Sequence, residues 1–437
     1  MKAIQKRPHV PGESAGVEVG TTTEVLTDAA GLVAARSVWD KLDLGAYLDR
    51  ELAEVPGRYR PALYAEQWTS LLLYGGTCMD HLPLLESRGV RALFGWECVV
   101  DPTSLGRFLR RAGQAGAKVV EEALLKAVRA RWEATGGVPR VVQLTLDSTV
   151  SVRYGKKQAG AEIGYNPTKK GRPSHHPLLA FLDTGDCLGV RWRPGDANPA
   201  AGAEEWIETL VSWLRAQGVE RILVRLDKGF FRVSIIKKLL ALGVDFVLKM
   251  QELRNLQRFK GPFVADAEDP RIETSEGERW GVRMLCVRWM AEPAEGELPL
   301  GRVVVEDQST ILTNLAVDPV TAWRMYNQGA LVEHRIEELG QLGVGRTAVD
   351  DIGGNHLLWG LGVLAYQLLH FARTVVLAKP REQVKTLRAL VLRTPGKLVR
   401  HARRLQLKLA HGDPVTRWLL DGLARLGTLR TQPITAM

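Results

Sequence analysis

The stretch from Val141 to Val150 constrains the fold of this chain more than any other. Apolar and polar side chains alternate from Val142 to Asp147, which is the period-two pattern of a strand with one buried face. Asp147 is therefore expected on the polar face of a strand. A carboxylate held by a sheet is a good ligand for a hard cation, although a lone Asp near a strand end is more often a turn residue.

A second strand ends in the same way, at Asp227. An amphipathic helix over 203–217 precedes this strand, and a helix over 233–242 and a strand over 244–250 follow it. This alternation predicts an α/β sheet, and open α/β sheets place their sites at the carboxyl ends of their strands. Asp227 is therefore expected in the same setting as Asp147.

Changes in pattern divide the chain of 437 residues into segments. They are a flexible arm, an all-helical domain, an α/β domain split by a β-rich insertion, and a basic region. The boundaries are 1–23 for the arm, 24–136 for the helical domain, 137–250 and 314–378 for the α/β domain, 251–313 for the insertion and 379–437 for the basic region.

The overall charge favours a polyanionic partner. Lys and Arg number 59 against 49 Asp and Glu, which gives a net charge of +10 and a pI near 9.5. The sequence contains neither a credible signal peptide nor a charge-free apolar span of about 18 residues, so we expect a cytoplasmic protein without membrane contact. Its four cysteines are widely spaced, which indicates neither a zinc site nor a disulfide framework.

Three groups of cations are candidates for contact with DNA phosphates. They lie on the helix that starts at Asp101, on a glycine-containing loop, and in the basic region, where the charge from Lys379 to Lys408 sums to 10 − 1 = +9. A solvated face is the alternative for the first and third groups. The candidates are Arg107, Arg110 and Arg111, then Lys169, Lys170 and Arg172, then Arg400, Arg403 and Arg404.

A helical pattern returns after the insertion. The run from Ala322 to Gly340 is expected to contain a helix on which Tyr326 and Glu333 share a stripe, because positions seven apart fall nearly on one line. Glu337 lies one turn further along that stripe, and Glu338 lies about 140° round the helix from Glu333. Each of the three glutamates is a candidate for a third carboxylate.

The order of these features resembles the DDE transposases of bacterial insertion sequences, over residues from about 30 to 411. An Asp on a first strand, an Asp after a fourth, a β-rich insertion and a Glu on a helix follow one another in both. The motifs that carry the resemblance are Pro102-Thr103-Ser104-Leu105-Gly106-Arg107-Phe108-Leu109, Leu146-Asp147-Ser148-Thr149, Gly164-Tyr165-Asn166-Pro167, Ser174-His175-His176-Pro177-Leu178-Leu179-Ala180, Arg225-Leu226-Asp227-Lys228-Gly229-Phe230, Tyr326-Asn327-Gln328 and Leu364-Ala365-Tyr366.

The resemblance implies an RNase H-like mixed sheet flanked by helices and interrupted by the insertion. It also implies that the helical domain over 24–136 binds DNA and that the basic region over 379–437 binds DNA or dimerises. It implies that Asp147, Asp227 and Glu333 hold two Mg²⁺ ions, for which Mn²⁺ could substitute. Glu333 is preferred because it lies seven residues after Tyr326, as in the family signature. The implied activity is cleavage at transposon ends and strand transfer into target DNA, by a homodimer bound to double-stranded DNA near the bacterial nucleoid.

The chain departs from the family signature at two positions. Gly329 and Gly340 stand where the signature has an Arg and a Lys that grip phosphates. Arg335 or Lys228 are candidates to replace them, and Tyr326 is a further candidate for DNA contact. Two tryptophans of the insertion are candidates to stack on an unpaired base, as a tryptophan does in related transposases, with core positions as the alternative. They are Trp280 and Trp289.

Two other functions stay open. A nuclease on the same fold would cut DNA without joining its ends, and a DNA-binding protein descended from a transposase would hold ends without cutting. Gly329 and Gly340 favour the binding protein. The three carboxylates favour the enzyme, because their mutual repulsion has no evident purpose without a metal ion.

Overall fold

The first part of the chain is helical in the computed structural model, which describes residues 21–155, 158–167, 169–251, 261–290, 305–328, 330–346, 348–402 and 404–428. Asp101 caps the longest helix by accepting a hydrogen bond from the Ser104 amide at 2.8 Å, which confirms the predicted helix start. The elements are β1 (Val25–Thr27), α1 (Val33–Lys41), α2 (Leu44–Glu51), α3 (Pro61–Tyr74), α4 (Arg88–Phe94) and α5 (Pro102–Ala134).

The next part of the chain begins with consecutive strands and then alternates helices with strands. The elements up to the insertion are β2 (Val141–Ser148), β3 (Ser151–Val152), β4 (Ser174–His175), β5 (Leu178–Leu182), β6 (Cys187–Arg191), α6 (Ala203–Ala216), β7 (Arg221–Leu226), α7 (Val233–Ala241) and β8 (Asp245–Lys249). The insertion contributes β9 (Val264–Ala265), β10 (Ile272–Arg279), β11 (Val282–Met290) and β12 (Val305–Thr313).

The remaining elements are mostly helical. They are α8 (Pro319–Asn327), α9 (Ala330–Gln341), α10 (Ile352–Phe371), α11 (Val384–Leu387), β13 (Gly396–His401), β14 (Arg404–Lys408) and α12 (Pro414–Thr428). Two π-helical segments, Ala372–Val376 and Arg388–Leu392, follow α10 and α11.

One sheet of nine strands runs through the molecule in the order β6-β5-β2-β7-β8-β12-β11-β10-β9. Strands β2, β7 and β8 are parallel, and β5 and β6 are antiparallel to their neighbours. This is the strand order of an RNase H-like sheet and confirms the predicted fold class. The insertion is not a separate body, because β12 pairs with β8 and continues the same sheet.

The alternation along β2 sorts its side chains onto two faces. Leu144 and Leu146 point into a core with the buried sides of α6 and α7. The other face packs against the long helices α5 and α10, which belong to a larger core together with α1 to α3. Leu179 faces this larger core and is the register partner of Asp147. Asp147 therefore lies on the face of the sheet that α5 and α10 cover.

Helix α10 is the most buried helix, yet it carries polar groups. Gln367 and His370, near its carboxyl end, are buried and hydrogen-bonded, as is Arg373 in the π-helical segment that follows. In the described part of the chain, no helix is long and apolar enough to cross a membrane.

The prediction that Tyr326 and Glu333 share one helical stripe is wrong. Helix α8 ends at Asn327 and α9 begins at Ala330, so the two residues lie on different helices. The sequence places a glycine, Gly329, at this boundary, and glycine is a common residue just past a helix end. Gly329 itself lies outside the described residues.

The basic region folds onto the amino-terminal part of the chain. Strands β13 and β14 form a hairpin, and β1 pairs with β13 through Val25 and Leu398. Several of its cations bond internally. Arg388 donates to the carbonyls of Leu72 and Gln341, and Lys397 contacts Glu24.

Candidate active site

Two carboxylates lie at the same edge of the sheet. Asp147 is the seventh residue of β2, and Asp227 directly follows β7, its parallel neighbour. Each is held by a backbone amide: Asp147 Oδ1 accepts from Ser148 N at 2.7 Å, and Asp227 Oδ1 accepts from Gly229 N at 3.0 Å. The sequence analysis predicted this arrangement.

The two carboxylates lie close enough for the charge of Asp227 to act on the ionisation of Asp147. Burial raises the pKa of Asp147 to about 7, and the charge of Asp227 adds to the effect. Burial also raises the pKa of Asp227. Adjacent buried carboxylates resist ionisation together, because each disfavours the charged form of the other. The site therefore favours a bound cation.

A buried arginine, which the sequence analysis did not single out, lies beside both carboxylates. Arg225 is 8% exposed, and its charge lowers the pKa of both Asp147 and Asp227. Its Nε donates to the carbonyl oxygen of Tyr326 at 2.6 Å, and its guanidinium lies 4.7 Å from the centre of the Tyr326 ring. Lys249 lies 5.6 Å from the same ring. The sequence signal that could have identified Arg225 is a charged residue next to Asp227 within an otherwise apolar strand.

Glu333 lies near this pair, on the exposed side of α9. Its charge raises the pKa of Asp147. Burial raises the pKa of Tyr326 to about 12, and the charge of Glu333 adds to that effect. Glu337 is exposed and lies 3.4 Å from the Nδ1 of His334. Of the three candidate glutamates, Glu333 is the one whose charge affects Asp147.

Glu338 is bound inside the protein and is 3% exposed. It accepts hydrogen bonds from Arg373 Nη1 at 2.6 Å and from Arg335 Nη1 at 2.9 Å. Burial opposes ionisation of Glu338, but these two arginines hold its pKa below the ordinary value. Arg335, a predicted DNA ligand, thus directs its guanidinium at an internal carboxylate.

The donor set fits a hard divalent cation. Carboxylate oxygens are the ligands that Mg²⁺ prefers, and Mg²⁺ is commonly held by one or two carboxylates together with substrate phosphates. Within the described ranges, no three His, Cys, Asp or Glu side chains converge tightly enough to hold an ion by themselves. Asp147 and Asp227 are the two candidate donors at adjacent strand ends, and Glu333 lies near enough for its charge to raise the pKa of Asp147.

The predicted cationic helix face lies on α5. Arg107 and Arg111 line a polar cavity of about 230 Å³ with Arg58, and Arg111 donates to the Pro56 carbonyl at 3.0 Å. Arg110 forms an ion pair of 2.5 Å with Asp350. Two of the three predicted arginines therefore share one cavity.

The predicted loop cations surround an exposed tyrosine. Lys169 and Arg172 lie 5.0 and 5.8 Å from the centre of the Tyr154 ring, which is 67% exposed. Lys170 is exposed on the same loop. Lys228, which directly follows Asp227 after β7, is also exposed.

Of the two tryptophans of the insertion, Trp280 lies in the turn between β10 and β11, and Trp289 lies near the end of β11. Trp280 packs against Phe231 with ring centres 5.6 Å apart, and Trp289 packs against Trp323 at 5.5 Å. Both are half-buried. Each ring has an aromatic neighbour in the protein, as the core alternative requires.

The hairpin of the basic region carries the third predicted group. Arg400 lies on β13 and Arg404 on β14, and both are exposed. Arg400 pairs with Leu405, the residue next to Arg404. Arg403 lies outside the described residues.

Most of the chain, including the three candidate carboxylates, lies within a region similar to known proteins. A family model described as transposase DDE domain group 1 matches residues 97–431. The cryo-EM structure of a piggyBac transposase synaptic complex with hairpin DNA is similar at 13% sequence identity and a TM-score of 0.39, over 83% of this chain and 79% of that chain. No curated protein matches the sequence.

Proposed function

Because the chain belongs to the family of transposases with a DDE domain, we propose that it performs cut-and-paste transposition of a bacterial insertion sequence. It cleaves DNA at the transposon ends and joins those ends to target DNA. The observation that carries this proposal is the pair Asp147 and Asp227 at the ends of adjacent parallel strands, with the pKa of both raised.

We assign Asp147, Asp227 and Glu333 to hold divalent ions, two Mg²⁺ or Mn²⁺. Ions bound there would supply activation of the attacking water or 3′-hydroxyl and stabilisation of the leaving oxygen. Glu333 lies on the exposed side of α9, so it is accessible to the DNA as well as to the ions.

Arg225 acts as a positioning residue in this scheme. Its buried charge partly offsets the repulsion between Asp147 and Asp227, which lets both carboxylates ionise near neutral pH. Its hydrogen bond to the Tyr326 carbonyl fixes the end of α8 against the sheet, and α8 leads directly to the helix that carries Glu333.

DNA is the substrate that the exposed cations favour. Arg107 and Arg111 on α5, Lys170 on its loop and Lys228 beside Asp227 offer positive charge that phosphates would meet. The exposed Arg400 and Arg404 extend this charge onto the hairpin of the basic region. Joining two transposon ends in one reaction requires both to be held together, so we propose a homodimer on DNA.

The proposal is tested with duplexes that carry the inverted repeats flanking the reading frame. The protein with Mg²⁺ should nick these duplexes at the repeat ends and join them to a supercoiled plasmid, and Asp147→Asn should do neither while still binding. Cleavage without joining would identify a nuclease instead.

A second candidate is a DNA-binding protein that has lost cleavage. The glycines at 329 and 340, where the family signature has cations, favour it. It predicts tight binding to the repeats and no product with any divalent metal ion.

A further inference from the structure

We propose that Arg193 is a positioning residue, which sets the spacing of Asp147 and Asp227 and thereby the affinity of the site for divalent ions. This inference rests on the proposed function, in which those two carboxylates hold the ions. Arg193 lies two residues after β6 and is 7% exposed. In the described part of the chain no carboxylate pairs with it, so it acts through the backbone segments that it binds.

On one side, Arg193 holds the segment beside the end of β2. Its Nε donates to the carbonyl oxygen of His176 at 2.9 Å, and its own carbonyl accepts from the His176 amide at 3.1 Å. The next residue, Pro177, accepts from the amide of Thr149 at 3.0 Å. Thr149 directly follows β2. This side of the guanidinium is thus tied to the strand end that carries Asp147.

On the other side, Arg193 holds the loop that precedes α6. Its Nη1 lies within hydrogen-bonding distance of three carbonyl oxygens of that loop, at 3.3, 2.7 and 3.1 Å. The planar guanidinium presents its donors in a rigid fork, whereas the ammonium of a lysine is a single point on a flexible stem. A lysine would therefore not hold the same set of carbonyls. The acceptors on the loop are Asn198, Pro199 and Ala201.

Pro199 carries this restraint to Asp227. A methyl group added to Gly229 would lie 3.1 Å from the Cβ of Pro199, which is closer than the usual carbon contact of about 3.5–4.0 Å. The loop thus packs directly on Gly229. The Gly229 amide in turn donates to Asp227 Oδ1 at 3.0 Å. Displacement of the loop would therefore loosen the backbone amide that orients the Asp227 carboxylate.

The charge of Arg193 makes its contacts depend on one another. Burial lowers the pKa of Arg193 to about 10, so the guanidinium stays charged at neutral pH. A buried charge without an opposite charge is unfavourable unless hydrogen bonds compensate for the lost water. Carbonyl oxygens from both segments provide that compensation here. Moving either segment away would leave the charge undersolvated, so the spacing of the two segments resists change.

Arg153 provides a matched control in the same part of the fold. It is 4% exposed, burial lowers its pKa to about 10, and its Nη2 has no partner among the described residues, as is also true of Arg193 Nη2. Arg153 donates to His175 Nδ1 at 3.2 Å and to the Gly345 carbonyl at 2.9 Å. Neither contact reaches the loop over 198–201. Arg153→Lys and Arg193→Lys therefore remove the same buried fork, but only the second loosens that loop.

The first experiment measures the binding of Mn²⁺ to the protein without DNA, from the electron paramagnetic resonance signal of the free ion. Wild type should bind Mn²⁺ at a site that Asp147→Asn removes. Arg193→Lys should bind it at least about tenfold more weakly, as is usual when a group that orients a metal ligand is changed. Arg153→Lys should bind it as wild type does. Equal affinities of the two lysine variants would overturn the proposal.

The second experiment separates positioning from folding. Both lysine variants should lower the melting temperature in EDTA by similar amounts, because each loses a buried guanidinium. Added Mn²⁺ should raise the melting temperature of Arg153→Lys as much as that of wild type, and that of Arg193→Lys by less. In repeat cleavage, Arg193→Lys should need at least about tenfold more Mn²⁺ for half of its maximal rate. A rate reduced by the same factor at every Mn²⁺ concentration would leave Arg193 with a role in folding only.

A milder pair of variants tests the same path if Arg193→Lys does not fold. Pro199→Ala removes the ring that packs on Gly229 but keeps the carbonyl that Arg193 binds. It should weaken Mn²⁺ binding about threefold, less than the loss of the arginine itself. Pro194→Ala, at an exposed proline of the same loop, should leave the binding unchanged. Equal binding by the two proline variants would overturn the proposal.

The outcome for wild type distinguishes this inference from the proposed function. If wild type shows no Mn²⁺ site that depends on Asp147, the assignment of the carboxylates to metal ions fails, and the role of Arg193 fails with it. If wild type binds Mn²⁺ there and cleaves the repeats, but Arg193→Lys and Pro199→Ala behave like their controls, only the role of Arg193 is refuted.

Discussion

Arg373 and Glu338 form a buried ion pair of 2.6 Å that fastens the glutamate helix α9 to the segment after α10. Arg373 is completely buried, and its Nη2 also donates to the hydroxyl of Tyr366 at 3.3 Å. Five residues before Glu338, the same helix presents Glu333 towards solvent. One end of the helix is thus anchored internally, while the other carries Glu333, whose charge acts on Asp147.

Removal of the Glu338 side chain should therefore lower the free energy of unfolding without changing a residue of the candidate active site. Glu338→Ala leaves Arg373 charged and buried without its partner, which should cost about 3–5 kcal/mol in the free energy of unfolding. Glu337→Ala changes an exposed side chain and should cost about 0.5 kcal/mol or less. Urea denaturation of both variants measures the difference, and equal midpoints would show that the buried pair contributes little.

The choice of the third carboxylate is tested by activity. Glu333→Gln should reduce cleavage by several orders of magnitude, because the amide replaces a proposed metal ligand. Glu337→Gln, on the same exposed side, should lose at most about tenfold. Gel assays of repeat cleavage decide between them; an inactive Glu337→Gln beside an active Glu333→Gln would reverse the assignment.

The two strand-borne carboxylates should be needed for cutting but not for binding. Asp147→Asn and Asp227→Asn keep the volume of the side chain while removing its negative charge, so DNA binding should be retained and Mg²⁺-dependent cleavage lost. Asp421→Asn, on the exposed surface of α12, is the matched control. Cleavage by either active-site variant at the wild-type rate would exclude the site.

The raised pKa of Asp147 predicts a pH dependence of stability in the absence of metal. Its folded pKa of about 7 exceeds the usual value near 3.9, so the folded state binds the proton more tightly than the unfolded state. Stability should then fall as pH rises from about 4 to 7. Asp147→Asn cannot ionise, so its melting temperature in EDTA should exceed that of wild type at pH 8 and match it at pH 4. A constant difference across this range would contradict the shift.

The hairpin of the basic region should contribute to salt-dependent binding. Replacing Arg400 and Arg404 together with Ala should make the slope of log K against log[salt] shallower by about 1.8, that is 2 × 0.9, if each contacts one phosphate. Arg388→Ala should instead lower the melting temperature, because Arg388 donates to the Leu72 and Gln341 carbonyls. An unchanged slope in the double variant would leave these arginines as a solvated surface.

The central strands could be predicted because their signals are local. Alternation along β2 and the apolar run of β7 both end in an Asp, and the parallel pairing of these strands brings the two residues together. The boundary between α8 and α9 was missed, because apolar periodicity continued across it. A single glycine in the sequence was the only local mark of that break.

Partners of charged residues could not be predicted, because they are distant in the sequence. Arg335 was expected to face DNA, but it bonds Glu338, whose second partner Arg373 lies on a later helical segment. Arg388 and Lys397 were counted with an exposed basic surface, but the amino-terminal part of the chain supplies contacts to both. Charge totals indicate a partner only after such internal pairs are known.

The pairing of β1 with β13 has a consequence for synthesis of the protein. Val25 and Leu398 are register partners, so β1 finds its neighbour only after residue 398 has left the ribosome. Until then, the edge of β1 stays open to other strands, which is a hazard during folding. A chain that ends before residue 396 lacks β13 and leaves β1 without this neighbour.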